Sequence, residues 1–415
     1  MEKILNIDSP LKNFKDVYRN NLKNNPEIIT NMYYSPDFYS LANGMISWII
    51  IMNNRQLNGF KNYELQIHNL IKNRVTRNNV EQIFDPGLFN GLAGILYVLS
   101  NATKDERYLN LIHGILPYLK NRTYSKIQEC YENRINRCVK DSDYDLISGL
   151  SGILKCYLNK SVYKHIVNNN IIHDIANCLK NYFDFKNFNN IEELMFYIPN
   201  ENNPYINSKK GLINLSHSHG IMGILSSLNY YYKIFEDEDT KKCIEKICNF
   251  VYKFYSDRKK TYVKKIYKNE KIQFGDRNYT WCYGDLVMMQ TFYNAALIIQ
   301  NESYKKICLE FFEAINIKYR KLLSPTLCHG NSGVLLQLLH FRKIHRPRNV
   351  NLAFFNVIKD YKESYIYKFR DCEKYDGRRY YLDKNNLLTG SLGIYYAIDL
   401  YFGLEDHVGL LNLIM

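Results

Sequence analysis

A recurring Gly-x-x-Gly step constrains this chain more than any other feature of its sequence. In five places the step runs directly into an apolar stretch: NGLAGILYVLS, SGLSGILKCYL, HGIMGILSSLNYYY, HGNSGVLLQLLHF and TGSLGIYYAIDLYF, with glycines at 91/94, 149/152, 220/223, 330/333 and 390/393. Two weaker copies, LANGMISWIII at Gly44 and WCYGDLVMMQTF at Gly284, bring the number of units to seven. Because glycine is a poor helix former, its return beside seven apolar runs indicates a repeat architecture.

The segments between the units differ in character from the apolar runs. The runs are apolar on every side, which is typical of buried helices, whereas segments such as EDEDTKKCIEKICNFVYKFY carry charges on one face. First glycines lie 46 to 71 residues apart, enough for two helices and their loops. Since an open array would leave its inner face wet, we expect closure. The sequence therefore predicts an all-α ring, one domain over residues 1–415, with seven inner and seven outer helices.

The widest interval, between the third and fourth units, departs from helical periodicity. It contains FYIPNENNPYINSKKGLINL, which alternates in hydrophobicity and is rich in turn residues. We expect a small β-containing insertion there, at about residues 180–213.

Composition excludes several classes of protein. With 46% apolar residues the chain is not disordered, and no stretch reaches the roughly 18 apolar residues of a membrane span. The opening MEKILNIDSPLKNF lacks the apolar block of a secretory signal, so we expect a cytoplasmic protein with reduced cysteines. The net charge of +14 suits an acidic peptide or an anionic membrane face, but the lysines are scattered, and we expect no nucleic-acid partner.

Three units place metal-capable or titratable residues just before the glycine, in Ser-His-Ser-His219, Trp-Cys282-Tyr283 and Cys328-His329. Because these residues occupy the same point of the repeat, a ring brings them to the same end of its axis. Two thiolates and one imidazole are a common zinc set, and a fourth position left open is typical of catalytic sites. Sulfur-rich zinc suits the activation of a thiol. The sequence therefore predicts one zinc ion per chain.

Other titratable residues stand close to these positions. His219 either moves a proton near neutral pH or serves as a fourth ligand. Asp145, four residues before Gly149, either orients an imidazole or caps a helix. His217 and Arg277 are weaker candidates, since only their closeness in sequence supports them.

These motifs resemble those of the lanthionine cyclases, the LanC family. The family's order of motifs occurs here over essentially the whole chain: WCYG, Cys-His-Gly, His-Gly-x-x-Gly and the seven units of the glycine repeat, which we call the glycine ladder. The resemblance implies an α/α toroid with zinc at the mouth of the ring. By resemblance, the zinc ligands are Cys282, Cys328 and His329, the acid/base residues are His219 and Asp145, and Tyr283 lines the site.

This sequence departs from the family pattern next to the first zinc cysteine. By resemblance Arg277 takes the catalytic role of the family's arginine, but that arginine lies four residues before the cysteine, whereas Arg277 lies five before Cys282. The Pro-Gly that usually follows WCYG is absent, and Val287 stands where the second glycine is expected. Ser47 replaces a glycine in the first unit.

The resemblance implies a class I lanthipeptide cyclase. In that reaction a peptide cysteine, held as a thiolate on zinc, adds to dehydroalanine or dehydrobutyrine in the same lantibiotic precursor and closes a thioether ring. Protonation of the resulting enolate is a task for His219. The implied partners are the dehydrated precursor peptide, a separate dehydratase and an exporter, in a complex at the inner face of the membrane.

Three alternatives stay open from sequence. The same zinc site would serve the addition of glutathione to dehydroamino acids. A non-catalytic, zinc-stabilised peptide-binding scaffold is the second. A carbohydrate-active toroid is the third, but it needs paired carboxylates at the ring mouth, and the sequence shows Asp145 without an evident partner.

Overall fold

The computed structural model describes most of the chain from Tyr39 onward, as one compact unit, Tyr39–Met415. The described residues are 39–44, 46–54, 65, 68–69, 72, 85–101, 106–185, 190–204, 210–317, 322–342, 344, 347–362, 364–365, 367–375, 377–407 and 409–415. The prediction of a single domain also covers residues 1–38, which lie outside the described residues.

Helices make up most of the described structure. In chain order they are α1 (Ile46–Asn54), α2 (Leu92–Asn101), α3 (Glu106–Ile135), α4 (Asp141–Tyr144), α5 (Leu150–Leu158), α6 (Lys160–Tyr163), α7 (Asn170–Lys180), α8 (Ile221–Phe235), α9 (Glu238–Tyr252), α10 (Asp285–Ile298), α11 (Glu302–Glu313), α12 (Asn331–His340), α13 (Pro347–Ile358), α14 (Ser391–Tyr401) and α15 (Leu410–Ile414). None of the described helices is long and apolar enough to cross a membrane.

The strands are short and pair in twos. They are β1 (Leu212–Asn214), β2 (Tyr255–Ser256), β3 (Thr261–Tyr262), β4 (Lys265–Tyr267), β5 (Asp371–Tyr375) and β6 (Arg378–Leu382). All three pairs, β1 with β4, β2 with β3 and β5 with β6, are antiparallel.

The seven apolar runs form the inner helices of a closed ring. These helices are α1, α2, α5, α8, α10, α12 and α14. Each packs against the next, and α14 packs against α1, which closes the circle. All nine residues of α5 are buried, as are the first nine of α2, because these helices touch protein on every side. The predicted all-α ring is confirmed, and the fold is an α/α toroid.

Amphipathic helices follow five of the inner helices. They are α3, α7, α9, α11 and α13, and they pack on the inner helices while keeping one wet face. The interval between α1 and α2, where the first outer helix is predicted, is described at only a few positions. Within the described residues, only the short α15 follows α14. The prediction of seven outer helices therefore also concerns positions outside the described residues.

The non-helical part of the molecule lies mainly between α7 and α10. The described positions of the interval 180–213 contain short 3-10 helices and an isolated β-bridge between Ile198 and Leu212, and the last two residues of the interval begin a strand, β1. That strand pairs with β4 of the next interval, Asn214 lying opposite Lys265. Apart from the start of β1, the strands thus lie farther along the chain than the range indicated by the turn-rich sequence.

Backbone hydrogen bonds join the seven loops that precede the inner helices. Each loop offers the carbonyl two residues before its first glycine, and the neighbouring loop donates an N–H to it over 2.8 to 3.3 Å. The acceptors around the ring are Ala42, Phe89, Ile147, Ser218, Cys282, Cys328 and Leu388. Residues at equal positions of neighbouring repeats are therefore side by side in space.

Close backbone approach explains the glycine pairs. A Cβ on Gly91 would lie 1.7 Å from the carbonyl oxygen of Asp85, and one on Gly94 would lie 2.2 Å from that of Leu88. The loop folds back over the first turn of its helix so tightly that no side chain fits at either position.

We expect Gly91→Ala to destabilise the protein by about 1–3 kcal/mol, the usual cost of overpacking, because the contacting atom is backbone and cannot rotate away. Gly114→Ala is the matched control, since a Cβ at this exposed position in α3 meets nothing within 4 Å. It should stabilise the helix by up to about 1 kcal/mol. Denaturant midpoints of the two variants measure the difference, and equal midpoints would contradict the close-approach explanation.

Candidate functional site

Two cysteines from neighbouring loops form the centre of the candidate site. The N–H of Cys282 donates to the carbonyl of Cys328 over 3.2 Å, so the ring of loop hydrogen bonds sets the two residues side by side. Interaction with the Cys328 thiol, together with the charge of His329, lowers the pKa of Cys282 to about 7, against the effect of burial. The same interaction raises the pKa of Cys328, so near neutral pH the pair readily gives up one proton.

His329 follows Cys328 and binds a carboxylate from outside the repeat. Its Nε2 lies 2.9 Å from Oδ1 of Asp371, the first residue of β5. Burial alone would lower the pKa of His329, but the hydrogen bond and charge of Asp371 raise it. Burial would likewise raise the pKa of Asp371, but His329, Ser324 and Lys384 hold it at about 2.

One group of potential metal ligands within the described part of the chain is compact enough to surround a single ion. It consists of His329, Asp371 and Glu373, whose ligand atoms all lie within 4.8 Å of one another. Cys282 and Cys328 are not part of it. The ammonium of Lys384 already donates to both carboxylates, over 3.2 Å to Asp371 and 2.9 Å to Glu373. A metal ion held by these carboxylates would have to displace that ammonium.

His219 and Asp145 form the second half of the site. Nδ1 of His219 lies 2.8 Å from Oδ2 of Asp145, while Oδ1 accepts the N–H groups of Ser148 and Gly149 at 2.7 Å each. Asp145 therefore both orients an imidazole and binds backbone N–H groups before α5, the two roles considered from sequence. Burial would lower the pKa of His219, but Asp145, with smaller effects of Asp141 and Cys282, raises it.

Tyr283 lies against this half of the site. Its ring centroid is 6.3 Å from that of His219, with an angle of 35° between the planes. The ammonium of Lys265, on β4, lies 5.3 Å from the centroid of the Tyr283 ring. Burial lowers the pKa of Lys265 to about 8, although the charge of Asp141 opposes the change.

Asp141 is a second carboxylate that the sequence analysis did not recognise. Burial, and then the negative charge of Asp145, raise its pKa to about 6. The expectation that Asp145 has no acidic partner is therefore wrong. Asp141 lies four residues before Asp145, and this spacing was the signal that the sequence offered. Nothing in the repeat pointed to Lys265 or Asp371, which lie on strands outside it.

The two weaker candidates, Arg277 and His217, have partners elsewhere. Nη1 of Arg277 donates to the carbonyl of Ala314 over 3.0 Å, at the C-terminal end of α11, where a cation is favoured by the helix dipole. Nε2 of His217 lies 3.1 Å from the carbonyl oxygen of Ile414, and burial lowers the pKa of this imidazole to about 3. The structure does not bring either residue into the cluster.

Comparison with known proteins assigns the chain to a family. A family model described as lanthionine synthetase C-like protein matches residues 35–407. The chain belongs to this family. Membership confirms the resemblance seen in the motifs and the enzyme class that it implied, a lanthionine cyclase.

Two relatives support the assignment. This family member is 25% identical to "Nisin biosynthesis protein NisC" of Lactococcus lactis subsp. lactis over 313 residues, which is 72% of each chain. Its fold is similar to a solved structure named "Nisin cyclase", with a TM-score of 0.75 and 19% identity, covering 96% of this chain and 98% of that one. The structural likeness extends over nearly the entire length of both chains.

Proposed function

We propose that this enzyme is a zinc-dependent lanthionine cyclase, which adds cysteine thiolates of a dehydrated lanthipeptide precursor to dehydroalanine or dehydrobutyrine. The observation that carries the proposal is the ring of loop hydrogen bonds, which sets Cys282 beside Cys328, the residue before His329, and beside Ser218, the residue before His219, whose imidazole binds Asp145. Likeness to proteins named for nisin biosynthesis supports a lanthipeptide precursor as the substrate.

The donor chemistry of the site fits zinc. Cys282 has a pKa of about 7, so a thiolate is available at neutral pH without a large cost, and His329 adds a borderline-soft nitrogen. Zinc prefers two thiolates and an imidazole to a carboxylate pair that an ammonium already neutralises. We therefore assign the metal to Cys282, Cys328 and His329, one ion per chain. When bound, zinc would lower the pKa of a substrate thiol and hold it as a nucleophilic thiolate.

His219 is well placed to complete the addition. Attack of the thiolate sulfur on the β-carbon forms the C–S bond and leaves an enolate, whose α-carbon must then receive one proton. The hydrogen bond to Asp145 keeps Nδ1 of His219 occupied and raises the pKa of the ring, which stabilises its protonated form and leaves Nε2 to donate the proton. The product has the same mass as the substrate, because the thiol proton is lost and one proton is gained.

Lys265 and Tyr283 are proposed to line the same face. The resemblance implied an arginine near this place, but Arg277 binds the end of α11 instead. The ammonium of Lys265, over the Tyr283 ring, supplies a cation that would stabilise the enolate oxygen. The half-buried Asp141, with its raised pKa, would keep this ammonium close to His219 and Asp145.

The partners follow from the proposed reaction. The dehydrated amino acids must be formed first, so we propose a separate dehydratase and an exporter in the same pathway. We also propose a cytoplasmic location, with the basic chain peripheral to the inner face of the membrane. Co-purification of this protein with the proposed dehydratase and exporter tests this assembly.

Purified protein is expected to contain about one zinc per chain and to need it for cyclisation. A dehydrated peptide with a single cysteine is the substrate. Its mass should stay constant during the reaction, while the thiol that iodoacetamide can alkylate disappears. Dialysis against a chelator should stop the reaction, and added zinc should restore it. Full activity of metal-free protein would contradict the proposal.

Membership of the lanthionine synthetase C-like family argues against the carbohydrate-active toroid, and the same assay separates the other two alternatives. If free glutathione is added to a dehydrated peptide without cysteine, a mass increase of one glutathione per dehydrated residue would favour the intermolecular reaction. If zinc is retained but neither thiol reacts, a peptide-binding scaffold is favoured. We expect ring closure within the peptide to be faster than glutathione addition, because the intramolecular thiol has the higher effective concentration.

A further inference from the structure

The hydrogen bond between His329 and Asp371 joins a proposed zinc ligand to a side chain from outside the repeat. Asp371 begins the β5–β6 hairpin, which is inserted between α13 and α14, and its side chain is fully buried although most of that hairpin is exposed. A carboxylate taken out of water in this way is costly unless its oxygens have partners. Nε2 of His329 is one of those partners, over 2.9 Å.

Two further donors hold the carboxylate in place. The hydroxyl of Ser324 donates to Oδ1 over 2.8 Å, and the ammonium of Lys384 donates to Oδ2 over 3.2 Å. Ser324 lies in the same loop as Cys328 and His329, whereas Lys384 follows β6. The Asp371 carboxylate is therefore held from two sides, by Ser324 and His329 in the loop that contains Cys328 and by Lys384 after the hairpin.

We infer that Asp371 is a positioning residue for the metal site, one that fixes the tautomer of His329 and makes Nδ1 the nitrogen that binds zinc. An ionised carboxylate can only accept hydrogen bonds, so the nitrogen facing it must carry the hydrogen. In a neutral imidazole the other nitrogen then has the free lone pair. The inference rests on the proposed function for the identity of the metal ligands.

The expected consequence is tighter metal binding. A carboxylate behind a ligating histidine orients the ring and makes it more basic, and loss of such a partner usually lowers metal affinity 10–100-fold. Without Asp371, the ring of His329 could rotate and share its hydrogen between the two nitrogens, so part of the population would present the wrong atom.

The test is the zinc dissociation constant, measured by competition with a chromophoric chelator. Asp371→Ala should weaken zinc binding roughly 10–100-fold. Asp371→Asn should lose less, because its amide oxygen can still accept from Nε2 of His329. Glu373→Gln is the matched control, since Glu373 lies on the same strand and binds the same Lys384 but makes no hydrogen bond to His329. It should bind zinc as tightly as the unchanged protein.

A second measurement reports the tautomer directly. In protein labelled with ¹⁵N-histidine and loaded with zinc, the His329 signals should show a hydrogen on Nε2 and a metal on Nδ1. Circular dichroism of Asp371→Ala should retain the helical signal, because the ring of loop hydrogen bonds does not include the hairpin. Nε2 ligation in the unchanged protein would overturn the inference.

The outcomes distinguish this inference from the proposed function. If Cys282→Ala and Cys328→Ala lose zinc while Asp371→Ala binds it normally, only the role of Asp371 is refuted. If both cysteine variants keep zinc and Glu373→Gln loses it, the metal lies on His329, Asp371 and Glu373, and both the inference and the zinc assignment are wrong.

Discussion

Replacement of either cysteine, in Cys282→Ala or Cys328→Ala, is expected to remove the zinc and to slow cyclisation by roughly 10³-fold or more, since metal activation supplies several kcal/mol. The fold should survive. Both cysteines contribute to the ring of loops through main-chain hydrogen bonds, from Cys282 to Cys328 and from Cys328 to Leu388. Alanine can make the same two hydrogen bonds. Metal content, circular dichroism and rate are measured on the same samples.

Cys308→Ala is the matched control for this prediction. Its thiol is fully buried in α11, so its loss should cost some stability through the cavity that remains but leave zinc and activity unchanged. Unfolding of both site variants, with an intact control, would indicate that the metal is structural. Retention of zinc in both site variants would indicate that other residues bind the metal.

The second large effect is expected for His219→Asn, which should keep zinc and slow ring formation by roughly 10²–10⁴-fold, the usual contribution of a positioned proton donor. Asparagine cannot protonate the enolate. Asp145→Asn should have a smaller effect, because an amide oxygen can still accept the backbone N–H groups of Ser148 and Gly149 while the charge that raises the pKa of His219 is lost. Zinc occupancy after dialysis and single-turnover rates are the measurements.

His173→Asn provides the control, since Nδ1 of His173 lies 2.6 Å from the hydroxyl of Tyr231, and neither residue belongs to the candidate site. It should cyclise at the normal rate. If His219→Asn loses zinc and added zinc restores its activity, His219 is a fourth ligand. Unchanged zinc occupancy and an unchanged rate of ring formation in His219→Asn would show that His219 takes no part in the mechanism.

Most of the fold could be predicted from the glycine ladder. Each pair marks a loop that folds back on its helix, and a Cβ on Gly91 would lie 1.7 Å from a backbone oxygen, which explains why such a loop excludes side chains. Uniformly apolar runs predicted inner helices, and closure followed from the need to bury them. The strands were harder to locate, because β1 and β4 are three residues each and come from different intervals. Local pattern does not reveal such a pairing.

The sequence by itself determined which loops meet and which residues face the same end of the ring. Cys282 and Cys328 stand two residues before the first glycine of their units and His219 stands one residue before, and every unit repeats the same loop geometry, so neighbouring positions in the repeat become neighbours in space. No information about the insertions was needed for this part of the site.

Only the tertiary structure decided what surrounds those residues. Asp371 and Lys265 reach the site from strands that interrupt the repeat, and Arg277, although close in sequence, binds the end of an outer helix instead. The physical reason is that a repeat encodes only the contacts that recur with its period. A hydrogen bond between His329 and a residue 42 positions away depends on how a single hairpin packs over the ring, which no period encodes.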